Sequence, residues 1–326
     1  MFSLSIDNFA DYALSRAELA GESWTAQLLA GGVSNNVILA ESTTRRLVFK
    51  QALGQLRVKE EWLADRSRIH REASSLRALA PLLPKGAVPV VVYQDRESFI
   101  YAMEAAPPDA IDWKTRIIQY GECSEETVRQ VAAILATLIR STLSSSMQSQ
   151  SRWRDEFGDQ TCFDQLRLDS YYRFTASRHP DLAAAFEEAI ALARTPRAMT
   201  HGDFSPKNIL VPADGQAMLI DFEAVHFGDP GFDAGFLLNH FLLKAAHGIT
   251  GAKEMGRLFW RELSTALPGE TWLEPSTIRH LGCLHLARVD GKSPAEYLTS
   301  DEQQRVRAAA VAMITDPPKT IEELFV

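Results

Sequence analysis

Two carboxylates and one amide follow one another at a spacing that would suit metal-assisted chemistry. Asp203 and Asn208 are five residues apart, and Asp221 follows Asn208 after another thirteen. Apolar runs at 209–211 and 218–220, joined by a turn, would form a hairpin with Asn208 and Asp221 at one end. Amide and carboxylate oxygens are hard ligands of the kind that Mg²⁺ binds. The spacing therefore predicts a metal site at Asn208 and Asp221 with Asp203 close by.

Asp203 is the candidate catalytic residue, because it would be free to orient a hydroxyl nucleophile. Phosphoryl transfer depends mainly on positioning and charge neutralisation. These three side chains would supply both in one half of the site. The alternative is a hairpin with ordinary polar turn residues. The two spacings, His201 and the flanking apolar runs favour a site that transfers the γ-phosphoryl of Mg-ATP to an alcohol.

A second set of candidates lies in the first third of the chain and would bind the nucleotide. Lys50 ends an apolar run at 47–49, where its ammonium would reach the α- and β-phosphates. Glu72, on the helix that follows, is the expected ion-pair partner of Lys50. Glu60 and Glu61 are alternatives, but they precede the apolar stripe of that helix.

Four further residues are expected to contact the nucleotide because of their position along the chain. Ser34 and Asn35 follow two glycines and would donate hydrogen bonds to phosphates, although the segment also fits an ordinary turn. Glu104 and Ala106 stand where the last apolar run of the first third ends. Their backbone groups are candidates for hydrogen bonds to adenine.

The pattern of apolar residues predicts an α+β fold with a β-rich first part and a helical second part. Period-two and period-four patterns in the first part predict a helix at 66–79 and strands at 37–40, 47–51, 88–93 and 98–103. The prolines at 107 and 108 break the pattern, so we expect lobes at 1–104 and 105–326. The second part shows a serine-rich connection at 141–151 and helices from 124, at 181–194, 232–246, 281–289 and 304–314.

The run His-Gly-Asp-Phe-Ser-Pro-Lys-Asn, followed by Asp-Phe-Glu, resembles the catalytic loop of the protein-kinase-like fold. In the aminoglycoside phosphotransferase and choline kinase superfamily a glycine commonly precedes the catalytic aspartate, as Gly202 does here. The resemblance implies a bilobal fold, with ATP and Mg²⁺ as cofactors. It also implies that Asp233 accepts hydrogen bonds from the backbone of the loop and that His201 braces the loop.

The first lobe resembles methylthioribose kinase, in the Lys-Gln-Ala-Leu run from Lys50 and the Arg- and Trp-containing loop that follows. The second lobe departs from that family, which has a serine-like residue where this chain has Asn208. The acceptor pocket is expected in the second lobe. Resemblance and polarity suggest, for binding the acceptor, Glu223, Asp169, Tyr172, Arg288 and Asp290. Surface ion pairs and helix caps are the alternative for each.

Composition bears on nucleic-acid binding and on the cellular location of the protein. The formal net charge is −8, which disfavours a broad basic face for nucleic acid. Three cysteines without paired spacing, no apolar run long enough for a bilayer and no signal-peptide pattern indicate a cytoplasmic protein that does not enter the membrane. The sequence carries no signal for an oligomeric state.

The function that these features favour is a kinase of a sugar-like or amino-alcohol metabolite, which would phosphorylate a hydroxyl of this small molecule. Two alternatives remain open at this point. One is an aminoglycoside-modifying phosphotransferase, and the other is a nucleotide-binding pseudokinase that acts as a scaffold. The presence of Lys50, Asp203, Asn208 and Asp221 together disfavours the scaffold.

Overall fold

A five-stranded antiparallel sheet forms the first part of the molecule. The computed structural model describes residues 2–29, 34–57, 63–143, 147–213 and 217–326. The sheet has the order β1-β2-β3-β5-β4. Its strands are β1 Thr25–Leu28, β2 Asn35–Glu41, β3 Arg46–Ala52, β4 Val91–Asp95 and β5 Ile100–Glu104.

One helix packs on each face of this sheet, and the alternation of side chains along β3 explains the position of Lys50. Helix α1 (Ile6–Leu14) packs on one face, where the rings of Phe9 and Phe49 meet edge to face with centroids 4.9 Å apart. Successive side chains of a strand point to opposite faces. Lys50 therefore points to the other face, which is covered by α2 (Arg68–Leu79).

The second part is mainly helical. Its helices are α3 Trp113–Tyr120, α4 Glu125–Thr142, α5 Met147–Phe157, α6 Thr161–Phe163, a π-helix at Asp164–Arg173, α7 Phe174–Arg178, α8 Ala183–Ala193, α9 Gly231–Ala246, α10 Ala252–Ala266, α11 Leu273–Asp290 and α12 Ser300–Thr315. Helix α9 is buried over most of its length and packs against α10 and α11. Ser124 caps α4, as expected, by accepting a hydrogen bond from the backbone N–H of Thr127.

Short strands between α8 and α9 carry the polar residues of the predicted site. Strand β7 (Ala198–Thr200) pairs with β10 (His226–Gly228), and β8 (Ile209–Val211) pairs with both β6 (Ile111–Asp112) and β9 (Met218–Leu219). The β8–β9 pairing forms the expected hairpin, and the N–H of Ile220 donates to the carbonyl of Asn208 at 2.9 Å. Part of the turn between these strands lies outside the described residues.

Two expectations about local structure were incomplete. The polar segment at 141–151 was expected to be a flexible connection, but α4 extends to Thr142 and α5 begins at Met147, with 144–146 outside the described residues. Trp153 and Phe157 bury their rings in the core and hold α5 there, so packing outweighs the polar composition of its first turns. Helix α1 and strand β1 were not predicted.

Within the ranges that the structure describes, no helix combines the length and the apolar composition that a membrane span requires.

Candidate active site

Asp203 and Asn208 are joined side chain to side chain in the loop after β7. The Asn208 Nδ2 donates to Asp203 Oδ2 at 2.8 Å and to the carbonyl of Asp203 at 3.0 Å. Both residues are buried. The amide nitrogen of Asn208 is therefore committed to Asp203, which leaves its amide oxygen as the atom that can bind a cation.

Two cations keep the Asp203 carboxylate ionised. Arg167 Nη2 lies 2.7 Å and Lys207 Nζ 3.0 Å from Asp203 Oδ2. Burial alone would raise the pKa of Asp203, but these two cations outweigh it and hold the pKa below its ordinary value. The other oxygen, Oδ1, is buried and has no hydrogen-bond partner among the described residues. It is thus available to accept a proton or a hydrogen bond from a bound hydroxyl.

Lys50 connects the two lobes through two carboxylates. Its Nζ lies 2.6 Å from Glu72 Oε1 on α2 and 2.7 Å from Asp221 Oδ1 in the second lobe. Burial disfavours the ammonium, but Asp221 and Glu72 outweigh that effect and raise the pKa of Lys50 well above its ordinary value. The sequence paired Lys50 with Glu72, and the structure places them in contact. The backbone N–H of Phe222 also donates to Glu72 Oε1 at 3.1 Å.

The residues around Asp221 suit Mg²⁺. Asp221 stands at the end of the hairpin with φ of 71°, a left-handed conformation that is uncommon for a residue with a side chain. Its Oδ1 contacts Lys50, and no hydrogen bond to a described residue occupies its Oδ2. In the described parts of the chain no three His, Cys, Asp or Glu side chains are arranged to hold a metal. One amide and one carboxylate form the small protein ligand set that Mg²⁺ takes when phosphates and water complete its shell.

The loop that carries Asp203 is held by a buried aspartate. Asp233, at the start of α9, accepts hydrogen bonds from the N–H groups of His201 at 2.6 Å and Gly202 at 2.9 Å, as the resemblance implied. His201 contacts the Ile220 carbonyl through Nε2 at 3.1 Å and accepts the N–H of Asp203 at 3.2 Å. Burial lowers the pKa of His201 to about 4, so the ring is neutral and braces the loop.

Gly202 is required by the space around the loop. Its φ is 79°, and a Cβ atom built there would lie 2.7 Å from the carbonyl oxygen of Ala224. A side chain would therefore meet both backbone strain and a rigid neighbour. This explains why the arginine found before the catalytic aspartate in protein kinases has no room here.

Ser34 and Asn35 are buried, and their side chains face inward. Asn35 Nδ2 donates to Ser34 Oγ and to Glu223 Oε2, both at 3.0 Å. The glycine-containing stretch at 30–33 lies outside the described residues. The Ala106 carbonyl accepts a hydrogen bond from Arg46 at 2.9 Å, and Glu104 ends β5 with an exposed side chain.

Glu223 forms a second bridge between the lobes. Its Oε2 lies 3.2 Å from Arg68 Nε, and both side chains are buried. Arg68 also donates to backbone carbonyls around the start of α2 and the end of β3, namely Ser34, Leu53, Ala64 and Asp65. Glu223 is therefore committed to the lobe interface, and the structure does not place it in the cavity beside Asp203.

A cavity of about 170 Å³ adjoins Asp203, and Arg288 lines it. The other acceptor candidates lie elsewhere. Tyr172 is buried with its hydroxyl 2.9 Å from His280 Nδ1, and Asp169 pairs with Arg173 on the surface. Asp290 pairs with Arg307 at 2.7 Å and His179 at 2.8 Å. A larger cavity of about 480 Å³, between α10 and α11, contains none of the predicted residues.

Tyr171, which lines this cavity, and Arg167, which contacts Asp203, come from the segment that the sequence identified, but at different positions. Arg167 and Tyr171 reach the site from the π-helix, whereas Asp169 and Tyr172 do not. The wider hydrogen-bond register of a π-helix changes which side chains share a face, and such bulges are frequent at functional sites. The signal that could have located Arg167 is the charge of Asp203, which needs a buried cation nearby. Lys207 was in the motif, but no role was assigned to it.

Comparisons with known proteins identify the family of the chain. Residues 25–254 match the model of the phosphotransferase enzyme family. The chain belongs to this family. Among its relatives is the methylthioribose kinase of Yersinia enterocolitica, which is 27% identical over 233 residues that make up 64% of this chain. The alignment spans 57% of that relative, so the chain covers little more than half the length of the curated protein it matches.

Solved structures of the same fold support the two-lobed architecture. An ethanolamine kinase of Plasmodium vivax aligns with a TM-score of 0.57 and 13% identity, covering 92% of this chain and 84% of the other. A spectinomycin phosphotransferase in complex with ADP and spectinomycin aligns with a TM-score of 0.55 and 14% identity, covering 99% and 98%. Identities this low show the fold alone. They confirm the predicted bilobal protein-kinase-like α+β fold.

Replacing Gly202 tests the packing of the loop. We expect Gly202→Ala to lower the free energy of unfolding by more than Gly121→Ala does, with urea denaturation as the measurement. Both glycines have positive φ, so both variants carry strain of about 1–3 kcal/mol. Only at Gly202 does the new Cβ meet a backbone carbonyl, because nothing lies within 4 Å at Gly121. Equal losses for the two variants would contradict this account.

Replacing Glu223 tests the second bridge between the lobes. We expect Glu223→Gln to cost about 3–5 kcal/mol of unfolding free energy, because it leaves the buried Arg68 charge without its carboxylate. The control is Glu187→Gln, an exposed glutamate, which should stay within about 0.5 kcal/mol of the parent. If both variants unfold at the same urea concentration, the buried bridge does not stabilise the fold.

Proposed function

We propose that this phosphotransferase is an ATP-dependent kinase that phosphorylates a hydroxyl of a small, sugar-like or amino-alcohol metabolite. The observation that carries the proposal is the Asp203 carboxylate. One of its oxygens is held by Arg167, Lys207 and Asn208, the other has no partner among the described residues, and Asp203 lines a cavity. This arrangement gives an ionised base with one free oxygen where an acceptor hydroxyl would enter.

Each charged residue of the site has a role in the proposed reaction. Asp203 Oδ1 would accept the hydroxyl proton as the oxygen approaches the γ-phosphorus. Lys50, positioned by Glu72, would bind the α- and β-phosphates. Asn208 and Asp221 would hold Mg²⁺, which when bound neutralises phosphate charge. Adenine would lie at the end of β5, near the backbone of Glu104 and Ala106, and Ser34 and Asn35 would border the phosphates.

The relatives support a small-molecule acceptor. The curated relative is a methylthioribose kinase, and the solved structures of the fold include an ethanolamine kinase and a spectinomycin phosphotransferase with bound ADP. The cavity of about 170 Å³ is smaller than the roughly 300–1,000 Å³ typical of sites for drug-sized ligands, which favours a metabolite over an aminoglycoside. The intact Lys50–Glu72 pair and the ionised Asp203 disfavour a scaffold without activity.

The proposal also covers the boundary between the lobes and the cellular location of the protein. The lobe boundary is proposed at 104/105, where β5 ends, so that 1–104 binds the nucleotide and 105–326 carries the catalytic and acceptor residues. Cys123, Cys162 and Cys283 are free thiols, which supports a cytoplasmic location.

Asp203→Asn tests the assigned base. We expect the variant to bind Mg-ATP with unchanged affinity but to lose about 10²–10⁴-fold in turnover, because the amide accepts no proton. Isothermal calorimetry and ADP release across a panel of sugars, amino alcohols and aminoglycosides measure the two quantities. The matched control is Asp169→Asn, which removes a surface carboxylate and should change neither. Turnover at the parent rate in Asp203→Asn would refute the role of Asp203.

Asp221→Ala tests the metal site. We expect this variant to bind ATP about equally weakly with and without Mg²⁺, since the carboxylate that would hold the ion is gone. Calorimetric titrations of ATP in the presence of Mg²⁺ and of EDTA separate the metal-dependent part of the affinity. If Mg²⁺ strengthens ATP binding as much in the variant as in the parent, Asp221 is not a ligand.

A further inference from the structure

The cavity beside Asp203 carries more positive charge than its carboxylates balance. Its charged lining residues are Lys114 from α3, Lys207, Arg288 from α11, and the two carboxylates Asp203 and Glu296. Asp203 is already paired with Lys207 and with Arg167 behind it. Glu296 is exposed. The lining therefore leaves Lys114 and Arg288 facing the cavity without a buried counter-ion.

Arg288 has incomplete hydrogen bonding for a guanidinium. Its Nη1 donates to the carbonyl and hydroxyl oxygens of Ser293 and, at 3.3 Å, to the hydroxyl of Tyr171. Its Nε is buried and donates to no described residue. Neither Arg288 nor Lys114 forms an ion pair with a carboxylate in the part of the chain that the structure describes. A guanidinium in this state is prepared to bind an anionic oxygen.

A buried lysine beneath the cavity adds to this positive field. Lys244 lies on α9, fully buried, and its Nζ contacts only the carbonyl of His240 at 3.4 Å among the described residues. Burial and repulsion from Lys114 and Arg288 lower the pKa of Lys244 to about 7, although Asp112 acts in the opposite direction. Burial, Lys244 and Arg288 likewise lower the pKa of His240, which lines the cavity. Further cationic groups would be repelled here.

The remaining wall of the cavity is aromatic. Tyr171 and Phe236 pack with ring centroids 5.6 Å apart, and Tyr297 closes the side near α12. The hydroxyl of Tyr297 is buried and has no partner among the described residues. It is a further group that an acceptor hydroxyl can satisfy.

We propose that the acceptor is a small hydroxylated anion, whose carboxylate or phosphate group binds between Arg288 and Lys114 while its hydroxyl reaches Asp203. This inference rests on the proposed kinase activity and narrows its substrate class. The hydroxyl oxygen forms a bond to the γ-phosphorus, the bond from that phosphorus to the β-bridging oxygen breaks, and ADP leaves with the electron pair. The proton passes to Asp203. The products are a phosphate ester of the anion and ADP.

The charge of the acceptor is tested with matched compounds. ADP release from Mg-ATP is measured for glycerol, ribose and glucose, for the corresponding acids glycerate, ribonate and gluconate, and for glycerol 3-phosphate, ribose 5-phosphate and glucose 6-phosphate. Choline, ethanolamine and kanamycin represent cationic acceptors. We expect at least one acid or phosphate to exceed its neutral counterpart about tenfold or more in kcat/KM. The acid and phosphate sets distinguish the two kinds of anion.

The contribution of the two cations is tested by variants. Arg288→Gln should raise KM for the anionic acceptor about tenfold or more and leave KM for ATP unchanged, and Lys114→Gln, at an exposed position, should act in the same direction. Arg305→Gln removes the same charge from an exposed site on α12 and is the matched control. If Arg288→Gln does not fold, Lys114→Gln carries the test alone.

Several results would overturn the inference. Neutral or cationic acceptors used as well as the anions, with a KM insensitive to Arg288→Gln and Lys114→Gln, would refute the anionic class and leave the kinase activity standing. Binding of Mg-ATP without ADP release for any acid or phosphate would also refute it. Absence of Mg-dependent ATP binding would instead refute the proposed function.

Discussion

A single buried ammonium determines how the two lobes meet. Lys50 is almost completely removed from water, and a charge in that position is stable only with close counter-charges. One counter-charge, Glu72, comes from the same lobe, and the other, Asp221, comes from the hairpin of the second lobe. Because the ammonium needs both, strand β3, helix α2 and the Asp221 end of the hairpin are held in one arrangement.

The negative charge of Asp203 likewise depends on nearby opposite charges. A carboxylate buried to this degree would gain a proton if it were alone, and it would then be useless as a base. Arg167 and Lys207 prevent this by contacting one oxygen, and Asn208 fixes the same oxygen. The second oxygen has no partner in the part of the chain that the structure describes. The cost of this unsatisfied atom is the kind that folded proteins accept where a ligand will satisfy it.

Spacing along the chain was sufficient to predict the parts of the site that depend on local geometry. A hairpin brings its ends together, which placed Asn208 and Asp221 at one end. The pairing of Lys50 with Glu72 was expected from their order along the chain and from the lysine–glutamate pair that is usual in such sites. The residues on the acceptor side of the site were harder to predict. Arg167 and Tyr171 are on the π-helix, whose register depends on packing against distant segments and leaves no pattern in the sequence.

The failure to predict helix α5 also reflects packing against distant segments. Helix α5 begins with polar residues, and only the burial of Trp153 and Phe157 against remote side chains makes it a helix. Helix α1 did leave a local signal, since Ser5 and Asn8 form a capping box whose reciprocal hydrogen bonds the structure shows. Apart from α1, whose local signal was missed, the predictions succeeded or failed according to whether the deciding contacts lie near or far along the chain.

Arg68 and Glu72 stand four positions apart on α2, so they lie on one side of the helix. Arg68 pairs with the Glu223 carboxylate, and Glu72 accepts a hydrogen bond from the backbone N–H of the neighbouring Phe222. One added or deleted residue between them would turn one side chain by about 100° relative to the other. The helix could then keep only one of the two contacts. The number of residues between Arg68 and Glu72 is thus more tightly constrained than the types of those residues. Natural variants should therefore differ in this turn by substitution rather than by insertion.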